Sequence, residues 1–255
     1  MKLATLLSVS LLASAAAFAE TSATSANVIG VLRVDSSAKR TIVAVPWVAA
    51  GVAAGDIKVT DLVKTSNLTE GDELHYYKGN GSFDSWSLDA QKSWQPANQV
   101  TENGNSEKSD SPEVQCLARG GALILIRKTP GACFYLCGQA TDVAAGATNL
   151  GGAGTKAAPV YSLIAPPKAQ AAEIDVNGAA TWTGIGDNDM LRIETASGVV
   201  ACKWTSSGWK SLEETKNDDL ITQSWTGEAP KLVPGTGCWF VSQTSGATSP
   251  SVQWK

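Results

Sequence analysis

An internal repeat that covers most of the chain constrains the fold more than any other feature of the sequence. The aligned segments are Thr41–Pro46 with Tyr161–Pro166 at an offset of 120 residues, Ile57–Val59 with Ile174–Val176 and Asp72–Leu74 with Asp189–Leu191 at 117, and Trp94–Ala132 with Trp209–Ala247 at 115. The offset changes only where a turn can absorb an insertion. Chance similarity between apolar strands would not place these blocks in the same order, so the repeat predicts two related units in tandem.

Each unit is predicted to be built of short strands, because its apolar runs are brief and are bounded by turn-forming residues. The predicted strands lie near Val28–Val34, Thr41–Val45, Glu73–Tyr77, Asp84–Leu88, Leu123–Arg127, Phe134–Cys137, Val160–Ile164, Met190–Glu194, Val199–Trp204, Cys238–Ser242 and Ser251–Trp254. One short helix is predicted at Val59–Thr65. Short strands at this spacing favour an all-β fold with two tandem β-sandwich or barrel-like domains of antiparallel strands.

The repeat and the composition together predict the domain boundaries. The first β-domain is expected at residues 27–142 and the second at residues 159–255. The intervening residues 143–158 are almost entirely Ala, Gly, Thr and Asn, a composition that suits a flexible linker.

Residues 1–19 have the order of a secretory signal peptide. Lys2 supplies a positive start, Leu3–Leu12 an apolar stretch, and Ala17–Ala19 a small-x-small cleavage pattern. The apolar stretch is too short to span a bilayer, and no later segment approaches about eighteen uninterrupted apolar residues. The sequence therefore predicts an exported protein that is periplasmic, at the cell surface or extracellular, with no membrane span.

Charge and chemistry exclude several classes of protein. The formal net charge of −4, without a basic cluster, argues against nucleic-acid binding. His75 is the single histidine, with no Cys or His at ligand spacing, and we interpret it as a strand residue. Any histidine-dependent triad would have to use His75, and no Gly-x-Ser-x-Gly motif is present. Asp187–Asp189 is interpreted as a turn before a strand, because the spacing of a calcium loop is missing. No catalytic residue, metal ligand or cofactor is predicted.

The five cysteines leave the redox state open. An odd number means that at least one thiol is free or pairs between chains. Cys133 and Cys137 lie too far apart along one predicted strand for a disulfide. Cys202 and Cys238 form the favoured bridge, and the alternative is that all five are small buried side chains.

Several motifs recur in both units. The second unit carries Ser162–Pro166, Trp204, Gly208-Trp209 and Pro234–Phe240, and the first carries Thr41–Trp47, Trp86, Trp94 and Arg119–Leu123. An opening strand that ends in Pro, an aromatic hairpin, a Gly-Trp turn and a Gly-x-Gly-aromatic strand resemble a class of uncharacterised exported β-proteins of Verrucomicrobia and Planctomycetes. The resemblance implies no activity and no functional residues.

Tryptophan offers the remaining functional signal, with nine residues in the chain. The alignment pairs Trp86 with Trp204 and Trp94 with Trp209, so each unit presents two rings that are either core residues or an exposed stacking surface. We therefore expect a non-enzymatic structural, assembly or adhesion protein that associates with itself. The alternative is a carbohydrate-binding module whose glycan stacks on these four rings. An exported glycosidase is the weakest hypothesis, because no site signal supports it.

Overall fold

The structure is a computed structural model, and it describes residues 29–35, 38–51, 55–79, 81–100, 106–129, 131, 133–141, 145–217, 220–244 and 249–255. The predicted signal peptide at residues 1–19 lies outside this part of the chain. The described chain is an all-β protein of antiparallel sheets with one helical turn, as the sequence predicts.

The elements of the first half are β1 Ile29–Asp35, β2 Arg40–Ala44, β3 Ile57–Lys58, α1 Val59–Leu62, β4 Val63–Lys64, β5 Glu73–Gly79, β6 Ser82–Leu88, β7 Trp94–Pro96, β8 Asn98–Val100, β9 Ser106–Lys108, β10 Cys116–Leu117, β11 Ala122–Ile126 and β12 Cys133–Gln139. Those of the second half are β13 Thr148–Asn149, β14 Val160–Ile164, β15 Ala180–Thr183, β16 Met190–Thr195, β17 Gly198–Thr205, β18 Gly208–Asn217, β19 Leu220–Glu228, β20 Cys238–Ser242 and β21 Ser251–Trp254. The predicted helix shrinks to the single turn α1, after which the chain continues as a strand.

The sheets of the two halves have corresponding strand orders. The larger sheet runs β2-β11-β5-β6-β7 in the first half and β14-β20-β16-β17-β18-β19 in the second. A smaller sheet runs β1-β12-β4 in the first half and β13-β21-β15 in the second. The short pair β3 and β10, which places Ile57 opposite Leu117, corresponds to an isolated bridge between Ile174 and Leu232.

The pairing registers correct the sequence alignment of the opening strands β2 and β14 by one residue. Val43 lies opposite Leu123, and Ile164 lies opposite Cys238. Since Leu123 and Cys238 correspond at an offset of 115, Val43 corresponds to Ile164 at an offset of 121 rather than 120. The difference matters because a slip of one residue exchanges the two faces of a strand. With the corrected offset, Val43 and Ile164 both face the core of their own half.

The predicted equivalence of Trp86 with Trp204 is wrong for the same reason. Trp86 lies opposite Leu74, whereas the residue opposite Leu191 is Cys202. Leu74 and Leu191 correspond at an offset of 117, so Cys202 takes the place of Trp86 in the second half. The two halves therefore fill this core position with side chains of very different volume.

Each half has its own apolar core, to which both of its sheets contribute. Leu125 and Phe134 lie in one buried cluster, and Phe240 and Val252 lie in the other. The central strands β11 and β20 are also covered on their opposite faces, where Ile124 is only 3 % exposed and Val241 has no exposed surface. The expectation from the continuous apolar runs, that these strands are buried on both faces, is confirmed for Leu123–Leu125 of β11 and holds for β20 except at the half-buried Trp239.

The described part of the predicted linker, residues 145–158, is mostly exposed but contacts the second half at several points. Thr148–Asn149 forms β13 beside β21, and Leu150 has no exposed surface. The backbone N–H of Gly154 donates to Ser242 Oγ at 3.1 Å. Small residues allow this packing, because a Cβ atom at Gly154 would lie 2.1 Å from the carbonyl oxygen of Ser242. The glycine that contributes to a linker-like composition here allows the backbone of Gly154 to approach that of Ser242 closely.

Candidate functional site

The two halves meet through a reciprocal exchange of backbone hydrogen bonds. The N–H of Ala44 donates to the carbonyl of Gly235 at 2.9 Å, and the N–H of Ala165 donates to the carbonyl of Gly120 at 3.2 Å. Ala44 and Ala165 correspond at the offset of 121, and Gly120 and Gly235 at 115, so each bond is the counterpart of the other. Residue i contacting j while j contacts i is the signature of a two-fold arrangement, here within one chain.

Small and apolar side chains fill the junction around this approximate two-fold axis. The junction cluster comprises Ile42, Ala44, Ala122 and Ala165, with Leu163 and Trp239 packed against it. Gly120 and Gly235 have φ of +88° and +79°, a conformation that favours glycine. A Cβ atom at Gly235 would also lie 2.6 Å from Val34 Cγ2, so the close approach of the halves requires glycine at this position.

One side of the junction opens into a cleft of about 800 Å³, which we call the ring-lined cleft. Tyr77 and Phe83 reach it from the hairpin of β5 and β6, Tyr161 from β14 and Trp239 from β20. All four rings are half-buried, so each keeps part of its surface available to solvent. The described residues of the lining include Lys78 and no Asp or Glu.

Contacts between the rings hold the lining of this cleft together. The Trp239 ring centroid lies 5.2 Å from that of Tyr77 and 6.1 Å from that of Tyr161, both edge-on. Phe83 lies 5.1 Å from Tyr77 at a tilted angle. These are the preferred geometries of aromatic pairs, and they hold rings from both halves in one connected row.

The other side of the junction carries the counterpart of the ring-lined cleft, and there the chemistry differs. Tyr77 corresponds to Glu194 at the offset of 117, and Tyr161 corresponds to Arg40 at 121. Arg40 Nε lies 3.4 Å from Glu194 Oε1, and the two spaces beside this ion pair, of about 110 and 210 Å³, are both much smaller than the ring-lined cleft. Two positions related by the repeat therefore line an open cleft in one copy and carry an ion pair in the other.

The tryptophans singled out from the sequence lie elsewhere, in the cores of the two halves. Trp86 and Trp209 have no exposed surface and Trp94 is 6 % exposed. Trp204 is half-buried, with its ring centroid 5.1 Å from that of Trp209. Rings without an exposed face cannot stack on a sugar, so a glycan surface built from this set would require them to leave the core.

Trp239 is the cleft residue that the sequence analysis missed as a candidate for binding. It belongs to the apolar strand β20, whose continuous apolarity predicts burial on both faces. The ring does pack on the junction cluster, yet its outer part lines the ring-lined cleft. No local signal distinguishes it from its buried neighbours Phe240 and Val241, because the cleft is formed by strands from the two halves.

A Ser-His-Glu row occurs on the larger sheet of the first half. His75 Nδ1 lies 2.7 Å from Ser85 Oγ, and His75 Nε2 lies 2.9 Å from Glu73 Oε2. His75 and Ser85 are directly opposite on β5 and β6, so the row is a cross-strand ladder. Ser85 is only 7 % exposed, which does not suit a nucleophile that must reach a substrate. We therefore interpret His75 as a strand residue and not as part of a catalytic triad.

The expected disulfide between Cys202 and Cys238 is not formed, and all five cysteines are free. Cys202 lies on β17 and Cys238 on β20, with β16 between them. Strands two places apart in a sheet are separated by roughly 9 to 10 Å, which exceeds the reach of a disulfide. This separation excludes the bridge. The sequence pattern identifies the strands but not their order in the sheet, so it could not show that the two cysteines lie apart.

We expect the two cysteines of the second core to resist thiol reagents while the protein is folded. Burial raises the pKa of the Cys202 thiol to about 11, and burial together with the neighbouring Cys202 raises the pKa of Cys238 further still. At about pH 8 neither forms the reactive thiolate, whereas Cys116 is exposed. Titration with a chromogenic disulfide, before and after adding denaturant, should show two thiols that react only on unfolding. Equal rates for all five would contradict the placement of these cysteines.

Comparison of the chain with protein-family models, with curated proteins and with solved structures finds no match. Within the described ranges, no helix has the length and apolar character needed to cross a lipid bilayer. The same part of the chain contains no cluster of three or more His, Cys, Asp or Glu side chains that could hold a metal ion. The ring-lined cleft is the candidate site because its aromatic rings contact one another and remain partly exposed.

Proposed function

We propose that the chain is an exported, non-enzymatic adhesion or assembly protein of the cell envelope or extracellular space. In this proposal its halves are two related β-sandwich-like domains in tandem. The corresponding strand orders and the reciprocal hydrogen bonds at the junction support the tandem arrangement. Export rests on the signal-peptide pattern of residues 1–19 and agrees with the resemblance to exported β-proteins.

Adhesion, in this proposal, takes place through a glycan bound in the ring-lined cleft. The observation that carries it is the connected row of Tyr77, Trp239 and Tyr161, whose rings are held in place and partly exposed. Sugar rings present apolar C–H faces that stack on such rings, while their hydroxyl groups need nearby polar partners. Lys78 lines the same cleft and supplies such a donor, and Ser162, whose hydroxyl donates to the Leu150 carbonyl at 2.7 Å, has acceptor lone pairs.

Binding without hydrolysis fits the lining better than a glycosidase does. Glycoside hydrolysis by the common mechanisms uses two Asp or Glu residues that flank the scissile bond. The described lining residues of the cleft include neither Asp nor Glu. The carboxylate of Asp84, the ion-pair partner of the cleft residue Lys78, is nearly buried and lies 3.3 Å from Lys78 Nζ.

A glycan array probed with the mature protein tests this function. We expect Tyr161→Ala to weaken binding of the selected glycan by about tenfold, because one of the stacking rings is lost. Tyr135→Ala is the matched control, since Tyr135 is also a half-buried tyrosine but lies on β12, away from the cleft. Thermal unfolding of both variants should verify that the fold is retained. Equal binding by Tyr161→Ala and Tyr135→Ala, or no glycan bound by the parent protein, would refute the proposal.

A further inference from the structure

Resting on the proposed function, we propose that the glycan is an acidic polysaccharide and that Arg192 binds its carboxylate groups beside the ring-lined cleft. The inference begins from a second depression of about 210 Å³ next to that cleft. It is lined by Arg40, Tyr161, Arg192, Glu194, Val199 and Trp239. Tyr161 and Trp239 line both spaces, so a chain that stacks on these two rings extends from the cleft into the depression.

Arg192 is the cation in this depression that has no carboxylate partner within the described chain. Glu194 is engaged by Arg40 at 3.4 Å, and its side chain is only 12 % exposed. The Arg192 side chain is exposed, and its guanidinium carbon lies 6.0 Å from the centroid of the Tyr161 ring. A guanidinium positioned over a ring keeps its N–H donors in its own plane, where a carboxylate can accept two of them.

A second cation lines the ring-lined cleft itself. Lys78 lines the ring-lined cleft, and its side chain remains 45 % exposed although Nζ lies 3.3 Å from Asp84 Oδ1. Each of the two spaces beside the rings thus contains a cation, Lys78 in the cleft and Arg192 in the depression, in a chain whose formal net charge is −4. A polymer with a charge on successive sugars would meet one cation in each space.

The counterpart position in the first half shows that this cation is specific to the ring-lined side. Arg192 corresponds to His75 at the offset of 117. His75 Nε2 lies 2.9 Å from Glu73 and its Nδ1 lies 2.7 Å from Ser85, so both ring nitrogens are engaged. The second half thus contributes an available guanidinium next to Tyr161 and Trp239, whereas the first half has an engaged histidine at the corresponding position.

The test compares polymers that share a backbone and differ only in charge. The probes are polygalacturonate, alginate and hyaluronate, each with its neutral methyl-esterified form, measured by affinity electrophoresis and calorimetry. We expect the parent protein to bind at least one acidic polymer about tenfold more tightly than its ester at about 50 mM salt, and the difference to shrink as salt screens the contact. Arg192→Ala should abolish the difference while leaving ester binding within about twofold. Arg192→Lys should retain part of it, because the charge remains but the bidentate geometry is lost.

Arg33→Ala is the control for loss of one positive charge, because Arg33 lies on β1 and pairs with Asp35 at 2.8 Å. It should keep the preference of the parent protein. Binding of neutral glycans or esters with no preference for the acids would overturn this inference and leave the proposed function standing. A preference that survives in Arg192→Ala, or disappears equally in Arg33→Ala, would overturn the role of Arg192. Failure to bind any of these polymers or any arrayed glycan would overturn both proposals.

Discussion

Replacing Asp189 by Ala is expected to lower the free energy of unfolding by about 3 to 5 kcal/mol, because three backbone N–H groups lose their acceptor. Asp189 has no exposed surface. Its Oδ1 accepts hydrogen bonds from the N–H groups of Gln243 at 2.7 Å and Thr244 at 3.0 Å, and its Oδ2 accepts one from Gly186 at 2.9 Å. The carboxylate thus joins the turn before β16 to the segment that follows β20.

The same clamp, by which we mean a buried Asp carboxylate that accepts backbone N–H groups from two segments, occurs in the first half at Asp72, the counterpart of Asp189 at the offset of 117. Asp72 is 1 % exposed and accepts the N–H groups of Lys128 and Thr69, both at 2.8 Å. Asp72→Ala should therefore be strongly destabilising as well. Asp187→Ala is the control, because Asp187 is exposed and its loss should stay within about 0.5 kcal/mol.

Urea denaturation followed by far-ultraviolet circular dichroism measures these differences. A midpoint of Asp189→Ala close to that of Asp187→Ala would mean that the three N–H groups find other acceptors. The clamp would then be a consequence of the turn and not one of its causes.

Truncating Phe240 to Ala is the second large effect, expected to destabilise the protein by about 3 to 5 kcal/mol. Phe240 lies on the central strand β20 and has no exposed surface. Its ring lies 6.5 Å from that of Trp182, nearly parallel, and 6.3 Å from that of Trp209, edge-on. Large neighbouring rings relax little into the space left by the lost side chain, so the cavity term adds to the lost burial.

Val199→Ala is the control for Phe240→Ala, because Val199 is 54 % exposed in the same sheet. It should change stability by no more than about 0.5 kcal/mol. Leu125, the counterpart of Phe240 in the first half, also has no exposed surface, and its truncation should cost about 2 to 5 kcal/mol. Near-neutral results for both core variants would place β11 and β20 at a surface where copies of the chain associate.

The approximate two-fold axis allows the candidate site to be compared with its counterpart in the same chain. Positions related by the repeat occupy corresponding places in the two halves, so a difference in their side chains marks a difference in chemistry. Tyr77 and Tyr161 line an open cleft, whereas their counterparts Glu194 and Arg40 form an ion pair. In the ion-paired copy the two charged groups engage each other, whereas the rings of the aromatic copy keep part of their surface open to solvent, so we assign the candidate site to the aromatic copy.

Sequence by itself determined the fold class and most of the strands, because these depend on local pattern. The predicted strands Val160–Ile164, Cys238–Ser242 and Ser251–Trp254 agree with the structure at both ends. Turn-forming residues bound these apolar runs, and side-chain alternation is a property of neighbouring residues. The hairpin of Gly208–Asn217 and Leu220–Glu228 was missed because its polar residues carry no apolar alternation.

Only the tertiary structure decided which strands are neighbours, and the site depends on that. The order of strands separates Cys202 from Cys238, and a register different by one residue changes which residues face the core. The ring-lined cleft joins Tyr77 to Trp239, residues from different halves that no spacing along the chain connects. Packing of distant segments is set by the shape and burial of whole surfaces, so the aromatic cleft and the ion pair opposite it emerge only when the two halves meet.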